Sequence, residues 1–291
     1  MSDAMDGEDL IEVGILFMLF VMLIGAELLV WHLAQGPAKW RHGTAYRVII
    51  LTLVMLPLAI GSVWTLSKSR EFQLFGKMVT RVPTSTPVVA LTFDDGPEPE
   101  FTDQVLAILG REGVKATFFV TGQKVRENLV EARRIVAEGH ELGNHSYSHT
   151  RMIGCSYSFV QEEIEQTDKL IRLAGYEGTI HFRPPGSKRL LVLPYYLWVT
   201  GRTTIFMDIE PESYPAIAAD ADKIAEYVLG RARPGSIILL HVMYKSRTET
   251  IKALPRIIQG LQGEGYSFAT VSQSRLLQSP LITRPSSVMI W

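Results

Sequence analysis

The chain has 291 residues, a formal net charge of -1, 47% hydrophobic residues and a single cysteine, Cys155. That charge balance leaves no electrostatic footprint for nucleic acid, and one thiol excludes an internal disulfide or a cysteine-rich zinc cluster. The length admits one large domain with an appendage, or two modest domains.

Two apolar stretches open the chain. Gly14 to Trp31 holds one ionisable group, Glu27, and Val48 to Leu66 holds none. Each is long enough to cross a hydrocarbon core of about 30 Å as a helix. The extreme N-terminus is acidic (Asp3, Asp6, Glu8, Asp9) where a cleaved signal needs positive charge, and a second apolar span follows. The expected element over residues 1–66 is therefore a two-helix transmembrane hairpin. Lys39, Arg41 and Arg47 place its connecting loop in the cytoplasm, and hence all that follows Leu66 on the extracytoplasmic side. Lys68, Arg70 and Lys77 weigh against that orientation. Residues 67–86, ending in "VPTSTP", read as a linker.

From Val88 onward a helix–glycine–strand rhythm repeats. "REGVKATFFV", "AEGHELGNH", "LAGYEGTIHF", "RARPGSIILLH" and "GEGYSFATV" each place a glycine before a short run that reads as a strand. Alternating strand and helix predicts an α/β fold with a parallel sheet, open or closed. The polar groups then fall at strand ends. Asp94 and Asp95 follow "LTF", Asn144 and His145 follow "HELG", Arg183 follows "IHF", Asp208 follows "TTIFM" and His241 follows "SIILL". The C-terminal edge of such a sheet is where β/α barrels build active sites.

"NHSYSHT" sets His145 and His149 four positions apart, so a helical turn would aim both imidazoles from one face. Two histidines and one carboxylate from the Asp94/Asp95 pair suit a catalytic metal with open positions. The spacing does not say which aspartate is the ligand.

"TFDDGP", "HSYSH", "FRPPG" and "ILLH", in this order, resemble the NodB-type polysaccharide deacetylases, carbohydrate esterase family 4. The resemblance covers about residues 87–275 and leaves the hairpin, the linker and the tail 276–291 outside it. It implies a distorted β/α barrel that removes an acyl group from a sugar with a divalent metal, Zn2+ ahead of Co2+, Ni2+ or Fe2+. By similarity Asp94 is the general base, and Asp95, His145 and His149 are the metal ligands. Arg183 would orient Asp94, and His241 would be the general acid, supported by Asp208 with Glu210 or Glu212 as substitutes. Many relatives carry an aromatic residue after "RPP" where this chain has Gly186, whose backbone N–H could still donate to an oxyanion.

The leading expectation is a membrane-anchored N-deacetylase acting on an N-acetylated glycan: peptidoglycan, a chitin-like oligosaccharide or a surface polysaccharide. The alternatives are a deacylase or deformylase of a small or lipid-linked sugar, and a relative that binds metal or glycan without turnover.

Overall fold

The computed structural model describes Gly25, residues 51–53, 55–58, 61–62 and 65–67, and residues 69–276. The chain divides into two compact units, Met1–Trp64 and Thr65–Trp291. Apart from Gly25 the first predicted span lies outside the described residues, as do Glu27, the connecting loop and residues 277–291. The second span is described in part, and it is helical at those positions with Leu51, Leu53, Leu56 and Leu58 exposed. No helix among the described residues is long and apolar enough to cross a membrane.

In the second unit a parallel sheet forms the centre. Strands β1 (Met78–Val79), β2 (Val88–Asp94), β3 (Thr117–Val120), β4 (Glu141–Asn144), β5 (Thr204–Ile205), β6 (Ile237–Leu240) and β7 (Ser267–Phe268) supply it. One sheet runs β4-β3-β2-β6, β7 adds to β2, and β1 pairs with β5. Single parallel bridges carry the path onward from Asn144 to Phe182 and from Phe182 to Thr204, while Ile209 returns to Ile238 on β6. The strands thus curve into an irregular ring in which some staves are only one or two residues long. Every residue of β2, β3, β4 and β6 is buried, as expected when helices cover the outside and side chains fill the inside.

Helices α1 (Pro99–Glu112), α2 (Gly122–Glu127), α3 (Leu129–Ala137), α4 (Tyr157–Leu173), α5 (Val192–Val199), α6 (Ala221–Leu229), α7 (Thr248–Gly263) and α8 (Val271–Leu276) surround the sheet. The predicted glycine punctuation is visible at the end of α1, where Gly113 adopts φ 68° and its N–H caps the helix on Gly110 O and Leu109 O.

Residues 67–86, expected as a linker, pack on the domain. The Arg189 N–H donates to Ser67 O at 3.3 Å, β1 joins the sheet, and the Val82 N–H donates to Gly235 O at 2.8 Å. Phe75 stacks on Trp198 with centroids 5.9 Å apart. The polar composition of "VPTSTP" signals irregular backbone, which is compatible with a docked strap as well as with a free tether.

Gly235 shows how close that strap runs. Its φ is 80°, and a Cβ there would meet Val82 O at 1.8 Å. Gly235→Ala should therefore lower the unfolding free energy by about 2–4 kcal/mol, from steric conflict and left-handed backbone together. Denaturant unfolding of both proteins checks this; a change within ~0.5 kcal/mol would mean that the strap lifts off freely.

Candidate active site

Asp94 closes β2 and Asp95 follows it, with its N–H held by Phe119 O at 3.1 Å on the neighbouring strand. Asp95 sits at φ 78°, a left-handed conformation that aspartate tolerates better than most residues. That turn of the backbone lets two adjacent carboxylates serve one site from different directions. Both are buried, so each must be compensated.

Asp94 finds Arg183. The buried guanidinium donates from Nη1 to Asp94 Oδ1 at 2.7 Å and to Thr92 Oγ1 at 2.9 Å. Nη2 donates to Phe206 O at 3.1 Å, and the group lies 4.0 Å over the Phe119 ring. With its donors committed, Arg183 holds Asp94 in one orientation.

Asp95 finds the histidines. Its Oδ1 lies 3.0 Å from His149 Nε2 and 3.5 Å from His145 Nε2. Burial alone would push the Asp95 carboxyl up; the His149, His145 and His241 rings outweigh burial and hold it well below the usual carboxylate range. His145 Nδ1 lies 2.7 Å from Arg183 O, and a carbonyl can only accept, so Nδ1 carries the proton. The Nε2 lone pair is then free to face Asp95, the arrangement of a ligating imidazole fixed from behind.

The segment between the histidines is not the expected helical turn. Residues 145–150 form a loop in which Ser146 and His149 take φ 66° and 59°. Asn144 Oδ1 accepts from the Ser146 N–H at 2.8 Å, and Glu163 Oε2 on α4 accepts from the N–H groups of Tyr147 at 3.0 Å and Ser148 at 2.8 Å. These bonds satisfy the loop's backbone, so the imidazoles converge through a pinned turn.

His241 follows β6 and faces the cluster, with Nε2 3.8 Å from Asp95 Oδ2. Its Nδ1 lies 2.6 Å from Glu212 Oε2, and Glu212 Oε1 accepts from Thr250 Oγ1 at 2.6 Å. Burial depresses the imidazole, but the Glu212 hydrogen bond and the charges of Asp94, Glu212 and Asp95 prevail and raise it to about 9.

Asp208 is not at this site, against the sequence expectation. It accepts from the Ser236 hydroxyl at 2.9 Å and from the Ile237 N–H at 2.8 Å, at the opposite end of β6 from His241. The chain from Thr204 to Glu212 runs alongside β6, bridged at Ile209 and Ile238. Asp208 therefore aligns with the start of β6, where it accepts from the Ile237 N–H, and Glu212 with its end, where it accepts from the His241 N–H at 2.9 Å.

Asp94, Asp95, His145, His149 and His241 line a cavity of about 370 Å³ that also exposes Gly186, Arg70 and Glu210. Gly186 occupies a tight turn at φ 57°, beside Pro184. A matched segment at residues 81–195 fits the family model described as polysaccharide deacetylase. A chitooligosaccharide deacetylase of Sinorhizobium fredii is 33% identical over 68% of this chain and 96% of its own length.

The chain belongs to the NodB-type polysaccharide deacetylase family. A peptidoglycan-N-acetylglucosamine deacetylase of Bacillus cereus is 31% identical over 70% of this chain and 95% of its own length. The crystal structure of a peptidoglycan N-acetylglucosamine deacetylase superimposes with a TM-score of 0.64 at 32% identity, covering 68% of this chain and 92% of that one.

For a metal, the donors of this deacetylase fit. Asp95, His145 and His149 each offer one ligand atom, all within 4.8 Å of one another. Asp95 Oδ1 is buried and receives no well-formed hydrogen bond, although two imidazole nitrogens, His145 Nε2 and His149 Nε2, converge on it. A divalent cation satisfies such a cluster, and hard and borderline donors of this kind suit a catalytic rather than a structural site.

Arg70 lines the cavity and was not singled out from the sequence as a site group. It comes from the segment read as a linker, where nothing in composition signals a site. Tyr244 sits close enough to Asp95 that burial and that carboxylate together push its phenol up.

Proposed function

We propose that this deacetylase uses a divalent metal held by Asp95, His145 and His149 to remove N-acetyl groups from an N-acetylated glycan. The convergence of Asp95 Oδ1, His145 Nε2 and His149 Nε2 between an arginine-clamped carboxylate and a carboxylate-supported imidazole carries this reading. A bound divalent cation would acidify water and polarise the acyl oxygen.

The chain's own groups divide the remaining work. Asp94, oriented by Arg183, takes the proton from the attacking water. His241, protonated at neutral pH through Glu212, gives a proton to the departing nitrogen. The Gly186 N–H in its tight turn is the candidate donor to the developing oxyanion. The relatives' chitooligosaccharide and peptidoglycan substrates favour an N-acetylglucosamine-containing glycan over a small or lipid-linked sugar. Zn2+ is the first choice of ion for two imidazoles and a carboxylate. The apolar segments at 14–31 and 48–66 support membrane anchorage with the catalytic unit outside the cytoplasm.

Acetate release by the full chain in detergent, from N-acetylglucosamine oligomers and from peptidoglycan, tests the activity. Chelation is expected to stop release and added Zn2+ to restore it. Release that persists in the fully metal-stripped protein would end the metal-dependent reading.

A further inference from the structure

We propose that the exposed face of α5, together with Phe75 and Tyr157, docks on the surface of a lipid bilayer. The proposal rests on the membrane anchorage reading and adds to it the face that the catalytic unit turns to the lipid.

The sequence of α5 is unusual for a surface helix. It reads "VLPYYLWV", and no Asp, Glu, Lys or Arg occurs between Arg189 and Arg202. A helix at a water-facing surface is ordinarily polar on its outer side. Here Leu193, Tyr196 and Leu197 are buried, and the outer side is apolar as well. Leu191, Tyr195, Trp198 and Val199 follow at steps of three and four, which places them on one helix face. These four and Tyr157 at the start of α4 are all 42–55% exposed.

The face is wider than the helix. Phe75 stacks on Trp198 and meets the Tyr195 ring edge-on at 5.6 Å, while Tyr157 meets Tyr195 at 6.5 Å. A Cβ on Gly76 would come 3.2 Å from Trp198 Cβ, so the strap lies tight against the helix. The rings and the two aliphatic side chains form one surface that costs free energy while it faces water.

Position and composition select a bilayer as the occupant. The apolar segment 48–66 ends beside the root of α5. The Arg189 N–H donates to Ser67 O, and Arg189 Nη2 donates to Ser69 O at 2.8 Å and Phe72 O at 2.6 Å. Leu66 and Leu190 border the same small recess. From there the face extends only about 12 Å along the helix at 1.5 Å per residue, within reach of headgroups above a span that ends at Leu66. Tyrosine and tryptophan suit that boundary, because each ring is apolar with one polar group that stays wet. A glycan would stack on the rings but leave Leu191 and Val199 without a matching surface. A second copy of the chain would need about 800 Å² per partner, more than five half-exposed side chains of at most about 250 Å² supply.

The test places an environment-sensitive fluorophore on the full chain in phosphatidylcholine–phosphatidylglycerol nanodiscs. Cys155→Ser removes the native thiol, and Leu191→Cys or Val199→Cys supplies a labelling site on the face. Val130→Cys, exposed on α3, is the control. Lipid spin-labelled near the headgroup is expected to quench labels at 191 and 199 about twofold or more, as for side chains seated about 5–10 Å into the boundary, and to leave 130 unchanged. A protein keeping only Trp198 (Trp31→Phe, Trp40→Phe, Trp64→Phe, Trp291→Phe) repeats the measurement without a label, and brominated lipid should quench it. Equal quenching at 191, 199 and 130 would mean that no face is preferred, and would overturn the proposal. So would unquenched labels on chains that co-purify with the discs, a result that leaves anchorage standing. If those labels respond instead to N-acetylglucosamine oligomer or to protein concentration, the face belongs to a glycan or to a second copy. A chain that never enters the discs would remove anchorage and docking together.

Discussion

Asp94→Asn is expected to purify with its metal and to lose turnover by about 10²–10⁴, while Asp95→Ala loses the metal itself. Distances from His145 Nε2 do not separate the two aspartates, at 3.6 Å to Asp94 Oδ2 and 3.5 Å to Asp95 Oδ1. The partition comes from the other neighbours. Asp95 Oδ1 is also 3.0 Å from His149 Nε2 and has no well-formed hydrogen bond. Asp94 spends Oδ1 on Arg183 and stays beside the ligand cluster. Asparagine in place of Asp94 can keep the contact to Arg183 but cannot take a proton near neutrality. Metal analysis and acetate release on both purified variants check the division. Equal loss of metal from the two would show that both carboxylates ligate, and no base would then be assigned.

Glu212→Gln should move the alkaline limb of kcat/KM to lower pH by about 1–3 units, the shift carried by an adjacent opposite charge. His241 works as an acid only while protonated, so activity is present below its pKa and falls as pH rises through about 9. Burial already pulls that imidazole down, and the carboxylate 2.6 Å from Nδ1 opposes it. Glutamine keeps the shape and removes the charge, leaving burial to win more of the balance. Asp208→Asn is the control. It disturbs the bonds to Ser236 and Ile237 and should cost stability, with the limb left in place. A limb that follows Asp208 instead of Glu212 would reassign the partner of His241.

What was legible in the sequence was local. A buried run that stops at Asp94-Asp95, two histidines four apart and a histidine just after "SIILL" show where strands end, because glycine turns and apolar runs report backbone path over a few residues. A cluster of two histidines and one carboxylate follows from such strand ends lying side by side in a parallel sheet, and that much was legible without the tertiary structure. The four-residue spacing of His145 and His149 was legible too, but its geometry was not. A helix and a pinned loop can both bring those rings together, and the choice lies with Glu163, more than a dozen residues away on α4.

The partner of His241 depended on how the stretch from Thr204 to Glu212 is registered against β6. Asp208, Glu210 and Glu212 are all acids within five positions, and chemistry alone does not rank them. The parallel bridge from Ile209 to Ile238 does, by sending Asp208 to one end of the strand and Glu212 to the other. Arg70 depended on a longer connection still, since Arg189 holds its turn across more than a hundred residues of chain. The sequence by itself determined the parallel α/β class and the acids and imidazoles at the strand ends, because propensity and spacing act over short distances. Only the tertiary structure decided which carboxylate supports His241, how the two histidines turn inward and which cation reaches the cavity, because those contacts arise from register and packing between segments far apart in the chain.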